Sequence, residues 1–152
     1  MNYLKQKNIK FGILIFILVS FATYAVTRYI YTGSFLYADL QFITGAVLGT
    51  IYSLRNRKES PSILTCGALV GIIGGIFSSL LIAFYDWLLI SFGYGIDIVL
   101  LFVFLGFSCL SGIPCGLITG ALISALYMYK EVRGEREKDV LDDEFFEDLI
   151  DK

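Results

Sequence analysis

Only a few side chains in the apolar part of this sequence could do chemistry. Between Phe11 and Tyr129, apart from a mainly basic group at 55–59, the charged residues are Arg28, Asp39, Asp86 and Asp97. A charged group inside a membrane is costly unless it is paired or reaches the interface. Arg28 and Asp39 flank a short turn at similar depth. This predicts either an ion pair that closes a hairpin near the headgroups, or an ion or proton site at Asp39.

No catalytic or metal-binding motif accompanies these charges. The sequence has no His, no GxSxG nucleophile motif and no phosphate-cradling GxxxxGK[ST] loop. It also lacks the basic face that nucleic acid requires. Three cysteines lie inside apolar runs without CxxC spacing, which argues against a disulfide framework and against zinc or haem motifs. They are Cys66, Cys109 and Cys115. We expect a protein that is not an enzyme and that binds no metal, cofactor or nucleic acid.

The uncharged polar residues suggest one further chemistry, a narrow polar path. Gln41 is the single amide in the apolar segments, and Thr44 follows it by three residues. Thr119 lies in the last apolar segment, after Pro114, which removes a backbone hydrogen bond and predicts a helix kink. Such a path would suit a small permeation protein. The mid-membrane acid or base that is common in transporters is not present.

Composition places these residues in a membrane protein. Hydrophobic residues make up 57% of the chain, and charge is concentrated at the ends and at one loop. A soluble domain of this size would need far more polar surface. We therefore predict a single all-α integral membrane domain in contact with bilayer lipid.

Four apolar segments are long enough to cross about 30 Å of hydrocarbon, which requires about 20 residues in a helix. They predict a four-helix transmembrane bundle within residues 1–130, with spans at about 11–31, 35–54, 62–86 and 97–129. The third segment is longer than one span requires, and Trp and Tyr prefer the membrane interface. Trp87–Gly95 is therefore expected to form an amphipathic or partly re-entrant connection.

The positions of Lys and Arg predict the orientation of the bundle, because cations are retained on the cytoplasmic side. With four spans, one side carries only Arg28. The other carries Lys5, Lys7, Lys10, Arg55, Arg57, Lys58, Lys130, Arg133, Arg136 and Lys138. We expect a multi-pass protein of the cell membrane with its N- and C-termini in the cytoplasm.

Small residues recur every four positions in three of the segments, a spacing that lets helix backbones approach closely. We predict that the helices pack through these ridges. The glycines concerned are Gly45, Gly49, Gly67, Gly71, Gly75, Gly112, Gly116 and Gly120.

An internal similarity accompanies the ridges. Residues 43–52 align without gaps to residues 118–127, with five of ten positions identical. Both segments run in the same direction, so the alignment predicts two parallel helical-hairpin repeats. The alternative is that glycine-rich apolar helices resemble each other through composition alone.

The C-terminal tail, residues 131–152, is acidic and has an apolar stripe. Leu141, Phe145 and Leu149 are spaced by four residues, with Phe146 beside them, which predicts a short amphipathic cytoplasmic helix. Its acidic face argues against binding the negatively charged inner leaflet. We expect it to dock on protein, either the basic loop at 55–58 or a separate cytosolic partner.

Two function classes follow from these features. The first is a structural or accessory subunit, or an assembly factor, whose glycine ridges pack in a homo-oligomer or a larger membrane complex. The second is a small dimeric channel or transporter with a polar path near Gln41, Thr44 and Thr119. The second requires those three residues to face one cavity, whereas the first requires the small-residue ridges to lie against other helices.

Overall fold

A computed structural model describes residues 7–30, 39–55 and 62–150 of the chain, with side chains for all of these except Ile30, Tyr94 and residues 134–150. The described residues form four α-helices and no strands. They are α1, Lys7–Ile30; α2, Leu40–Arg55; α3, Ile63–Tyr94; and α4, Ile98–Ile150. The predicted all-α fold is confirmed for this part of the chain.

Local hydrogen bonds account for both ends of α3. Ser62 caps its N-terminus, and the Ser62 hydroxyl accepts a hydrogen bond from the Thr65 N–H at 3.3 Å, as a serine N-cap does. At the other end Gly95 has a φ of +96° and donates its N–H to the Ser91 carbonyl at 3.1 Å. Glycine adopts this conformation without steric cost, so the helix can end there.

Aspartates lie at the starts of α2 and α4. The Asp39 carbonyl accepts the first backbone hydrogen bonds of α2, from Phe42 and Ile43. The Asp97 carboxylate accepts a hydrogen bond from the Val99 N–H at 2.8 Å. Both arrangements satisfy backbone donors that a helix start leaves unpaired.

Helix α3 is longer than the predicted third span. It contains residues 63–86 of that span and continues without interruption to Tyr94, so the amphipathic or partly re-entrant connection at Trp87–Gly95 stays a prediction. The apolar residues after Asp86 include no glycine before Gly93, so nothing in the local sequence ends the helix earlier. The turn between α3 and α4 is correspondingly short.

Helix α4 extends much further than the predicted fourth span. It has 53 residues and contains Pro114 without being divided by it. The C-terminal helix predicted as a separate element is thus the continuation of α4. The side chains of the predicted docking residues lie outside the described part of the chain; these residues are Leu141, Phe145, Phe146 and Leu149.

Three of the four helices are long and apolar enough to cross a membrane. The corresponding stretches are Lys7–Tyr29, Ile63–Gly93 and Ile98–Arg133. Helix α2 has 16 residues, which gives a length of about 24 Å at 1.5 Å per residue. The first residues of the span predicted at 35–54 precede it, outside the described residues.

The helices pack as two antiparallel hairpins, α1 with α2 and α3 with α4, and the hairpins lie against each other through α1–α3, α2–α4 and α2–α3 contacts. Phe16 contacts Gly74 and Arg28 contacts Asp86, so α1 and α3 run in the same direction. Because each hairpin is antiparallel, α2 and α4 are also parallel to each other.

Candidate functional site

The contact between α3 and α4 is made largely of glycine backbone. A Cβ added to Gly71 would collide with the carbonyl group of Gly116, and one added to Gly116 would collide with the carbonyl of Gly71. Gly67 and Gly120 face each other in the same reciprocal way one turn along this contact between α3 and α4. At the next level a Cβ on Gly75 would meet the Gly112 carbonyl, whereas one on Gly112 would meet the Ser79 hydroxyl and the Phe42 ring. The predicted packing glycines of these two helices therefore lie at backbone-to-backbone distance, where only a hydrogen atom fits.

The contact between α1 and α2 uses a related arrangement. A Cβ on Gly49 would meet the Gly12 carbonyl, and one on Gly45 would meet the Ser20 hydroxyl and the Phe16 carbonyl. Gly12 and Ser20 were not singled out from the sequence. Their spacing of eight residues places them on one helix face, but the large Phe16 between them masks the small-residue pattern.

Corresponding contacts in the two hairpins bear on the predicted internal repeat. Gly12 lies against the Gly49 carbonyl and the Ser53 hydroxyl, as Gly67 lies against the Gly120 carbonyl and the Ser124 hydroxyl. These contacts equate residue 49 with 120, whereas the sequence alignment equates residue 45 with 120. The two registers differ by one helical turn, and a four-residue shift keeps a residue on nearly the same face. Duplication of the hairpin stays a prediction.

Two phenylalanines fill the interface between the hairpins. The Phe16 side chain is 0% exposed, and its ring occupies the space beside Gly74 on α3 and Gly116 on α4. The Phe42 ring is also buried and lies beside Gly112. Each ring thus sits in a notch that a glycine leaves on the other hairpin. Substitution of these glycines would displace an aromatic ring from the centre of the bundle.

A polar cluster, which we name the clasp, joins α1 to α3 near the end of the bundle at which α1 ends. It consists of Tyr24, Arg28 and Asp86. Arg28 donates hydrogen bonds to the Asp86 carboxylate and to the Tyr24 hydroxyl, and that hydroxyl donates to the same carboxylate oxygen. The Arg28 side chain is 40% exposed and that of Asp86 15% exposed. Tyr85 packs edge-to-face against the Tyr24 ring at a centroid distance of 6.3 Å.

The clasp corrects the predicted pairing of Arg28 with Asp39. The structure pairs Arg28 with Asp86, while the Asp39 carboxylate accepts a hydrogen bond from the Ser111 hydroxyl on α4. The prediction considered only the neighbouring helix of the same hairpin. The partner lies 58 residues away in the sequence, on the parallel helix of the other hairpin, which only the packing of the two hairpins brings close.

The three residues of the predicted polar path lie at different levels along the bundle. Gln41 is buried, and the half-buried Thr44 donates its hydroxyl to backbone carbonyls of α2 and lies 3.3 Å from the Thr23 hydroxyl of α1. Phe42 lies beside Gly112, and α2 and α4 are parallel, so Gln41 is level with about residue 111 of α4 and Thr44 with about residue 114. Thr119 therefore lies about 12 Å beyond Gln41 and about 7.5 Å beyond Thr44 along the bundle.

Among the side chains that the structure describes, four buried hydroxyls have no hydrogen-bond partner. They belong to Ser20, Thr50, Ser78 and Ser124. Ser20 and Ser124 each lie over a glycine of the facing helix, so their small size fits the close helix contact. The described residues contain no group of three or more His, Cys, Asp or Glu that could hold a metal ion.

The clasp leads to a testable prediction. We expect Arg28→Gln and Asp86→Asn to destabilise the protein non-additively, with a coupling free energy of about 1 kcal/mol, the upper end for partly exposed ion pairs. A double-mutant cycle on thermal unfolding in detergent measures this coupling. The matched control pairs Arg28→Gln with Asp39→Asn, where no coupling is expected. Stronger coupling to Asp39 than to Asp86 would contradict the clasp.

These features define an all-helical protein that has three helices able to span a membrane and is organised as two glycine-packed hairpins. Comparison with known protein families, curated proteins and solved structures finds no match.

Proposed function

We propose that this chain is a structural or accessory subunit, or an assembly factor, of a membrane complex. The observation that carries the proposal is the packing between the two hairpins, where the buried rings of Phe16 and Phe42 fill notches left by glycines. Backbone-to-backbone packing within each hairpin makes the bundle rigid, because such contacts leave no space for rearrangement. A rigid, filled bundle suits a scaffold better than the passage of a solute.

The same proposal includes four spans with both termini in the cytoplasm. Support comes from three cations that lie near one end of the bundle: Lys10 near the start of α1, Arg55 at the end of α2 and Lys130 in α4. Arg28 lies near the opposite end, in the clasp. The distribution agrees with retention of positive charge on the cytoplasmic side, and in this arrangement α2 is the fourth crossing.

Cysteine labelling tests this orientation. In a variant whose native cysteines are replaced by serine, we expect Arg55→Cys and Glu131→Cys to react with a membrane-impermeant maleimide only from the cytoplasmic side. Ile96→Cys, at the exposed turn between α3 and α4, should react only from outside. Labelling of positions 55 and 96 from the same side would refute the four-span arrangement.

The proposed role of the tail is to bind a partner, while the bundle supplies the membrane anchor. We expect deletion of Val140–Lys152 to leave the thermal stability of the bundle unchanged, because the spans satisfy their own backbone hydrogen bonds. In native electrophoresis of mildly solubilised membranes, the full chain should migrate in a complex well above its own 17.0 kDa.

The complex that contains the deletion variant should have a lower apparent mass. The double substitution Phe145→Ser with Leu149→Ser should lower it in the same way. The matched control is Asp142→Ser with Asp143→Ser, which changes acidic residues and keeps the apolar stripe. A full-length chain that migrates as a monomer in its native membrane would contradict the proposed function.

The alternative is a small dimeric channel or transporter with a path near Gln41, Thr44 and Thr119. The four buried hydroxyls without partners favour it, because buried polar groups normally find a partner or a water molecule. The aromatic rings at the centre of the bundle count against it. Solute flux into proteoliposomes that falls after Gln41→Leu would favour this alternative over the structural role.

A further inference from the structure

The unbroken course of α4 determines how far the tail lies from the bundle. Phe42 of α2 lies against Gly112 of α4, and the two helices are parallel. Arg55 follows Phe42 by 13 residues, so it lies level with about residue 125 of α4 at equal rise per residue. Leu141 is then about 24 Å further along α4 and Leu149 about 36 Å further.

This distance excludes the chain's own basic loop as the docking site of the tail. Six residues connect Arg55 to Ser62, and both of these ends lie at the bundle. An extended chain rises at most about 3.6 Å per residue. Because these six residues must leave the bundle and return to it, they reach no further than about 12 Å from it. That is half the distance to Leu141. Docking at 55–58 would require α4 to break, whereas it is helical as far as Ile150.

A second copy of the chain is a poor partner for two reasons. Two copies in the same membrane have their basic loops at the same height. The tail of one copy is therefore as far from the basic loop of the other copy as from its own. Pairing two tails would bring like charges together, because the chain from Asp139 onward has seven acidic residues and one Lys. Like charges on facing helices oppose association.

We infer that the tail is the recognition element for a separate cytosolic protein, which offers an apolar groove with a basic rim. The inference rests on the proposed function, in which the tail faces the cytoplasm. The positions of Leu141, Phe145 and Leu149 give one apolar face at the spacing that helix-in-groove recognition uses. The acidic residues around them select a partner of opposite charge and speed the encounter. Continuity with α4 presents this face preformed, which lowers the entropic cost of binding.

Site-specific photo-crosslinking tests the inference in the full-length protein. A photoreactive phenylalanine analogue is placed at position 145, and at position 143 as the matched control, which lies on the opposite helix face. In intact cells we expect position 145 to cross-link a different polypeptide, through a peptide rich in Lys and Arg, with about tenfold higher yield than position 143. Leu149→Ser should lower this yield about tenfold, as expected for loss of one apolar anchor.

Several results would overturn the inference: cross-links from position 145 to residues 55–58, cross-links to a second copy, cross-links to an acidic or neutral peptide, or none at all. Native electrophoresis of the same samples separates this failure from that of the proposed function. If the complex persists while position 145 cross-links only within the chain or to another copy, the structural role stands and the inference fails. If no complex is found, both fail.

Discussion

Replacement of Gly71 or Gly116 by alanine is expected to destabilise the bundle by about 1–3 kcal/mol, the range for overpacking a well-packed core. Each added Cβ collides with a backbone carbonyl on the facing helix. Backbone cannot rotate away as a side chain can, so the helices must move apart along the whole seam. The midpoint of thermal unfolding in detergent, followed by loss of the monodisperse species, measures the effect.

Gly106 provides a matched control in the same helix as Gly116. It is exposed, and a Cβ placed there meets nothing within 4 Å. We expect Gly106→Ala to leave stability unchanged or raise it slightly, because alanine is preferred over glycine in helices by up to about 1 kcal/mol. Equal effects of Gly116→Ala and Gly106→Ala would show that the seam does not hold the fold together.

Phe16→Ala should have the largest single effect, a loss of about 3 kcal/mol. This is the lower end of the range for truncating a buried aromatic side chain. The lower end applies to helices that lie in a membrane, as proposed, because separated helices would still bury Phe16 in lipid. The loss then comes from packing and the cavity rather than from transfer to water. The cavity would open between α1, α3 and α4, where the ring now fills the notches at Gly74 and Gly116.

Phe107→Ala is the control for this substitution. Phe107 is 71% exposed on α4, so its truncation removes little internal packing. Chemical or thermal unfolding of both variants in the same detergent gives the comparison. A cost for Phe16→Ala no larger than that for Phe107→Ala would mean that the hairpins are not held together through this ring.

The contacts within each hairpin differ in kind from the contacts between the two hairpins. Glycine seams hold the helices of each hairpin at backbone distance, whereas aromatic rings and the clasp join one hairpin to the other. Contacts of the second kind join residues on different hairpins. We therefore expect variants of Phe16 or Asp86 to loosen the hairpin interface while each hairpin remains paired.

Local spacing in the sequence was sufficient to predict the all-helical class and several of the small-residue faces. A face repeats every three or four residues along its own helix, so Gly67, Gly71 and Gly75 could be assigned to one ridge without knowledge of the rest of the fold. The same periodicity pointed to the ridge at Gly112, Gly116 and Gly120. Apolar length alone was enough to identify segments able to cross a membrane.

Tertiary structure decided which faces meet and which charges pair. Arg28 lies near Asp39 in the sequence but pairs with Asp86, because the parallel packing of α1 on α3 sets their relative height. Phe16 occupies the centre of the bundle for the same reason, although in the sequence it is one of many apolar residues. Periodicity describes one helix at a time and carries no information on the register between helices. That register arises only when side chains from distant parts of the chain are packed together.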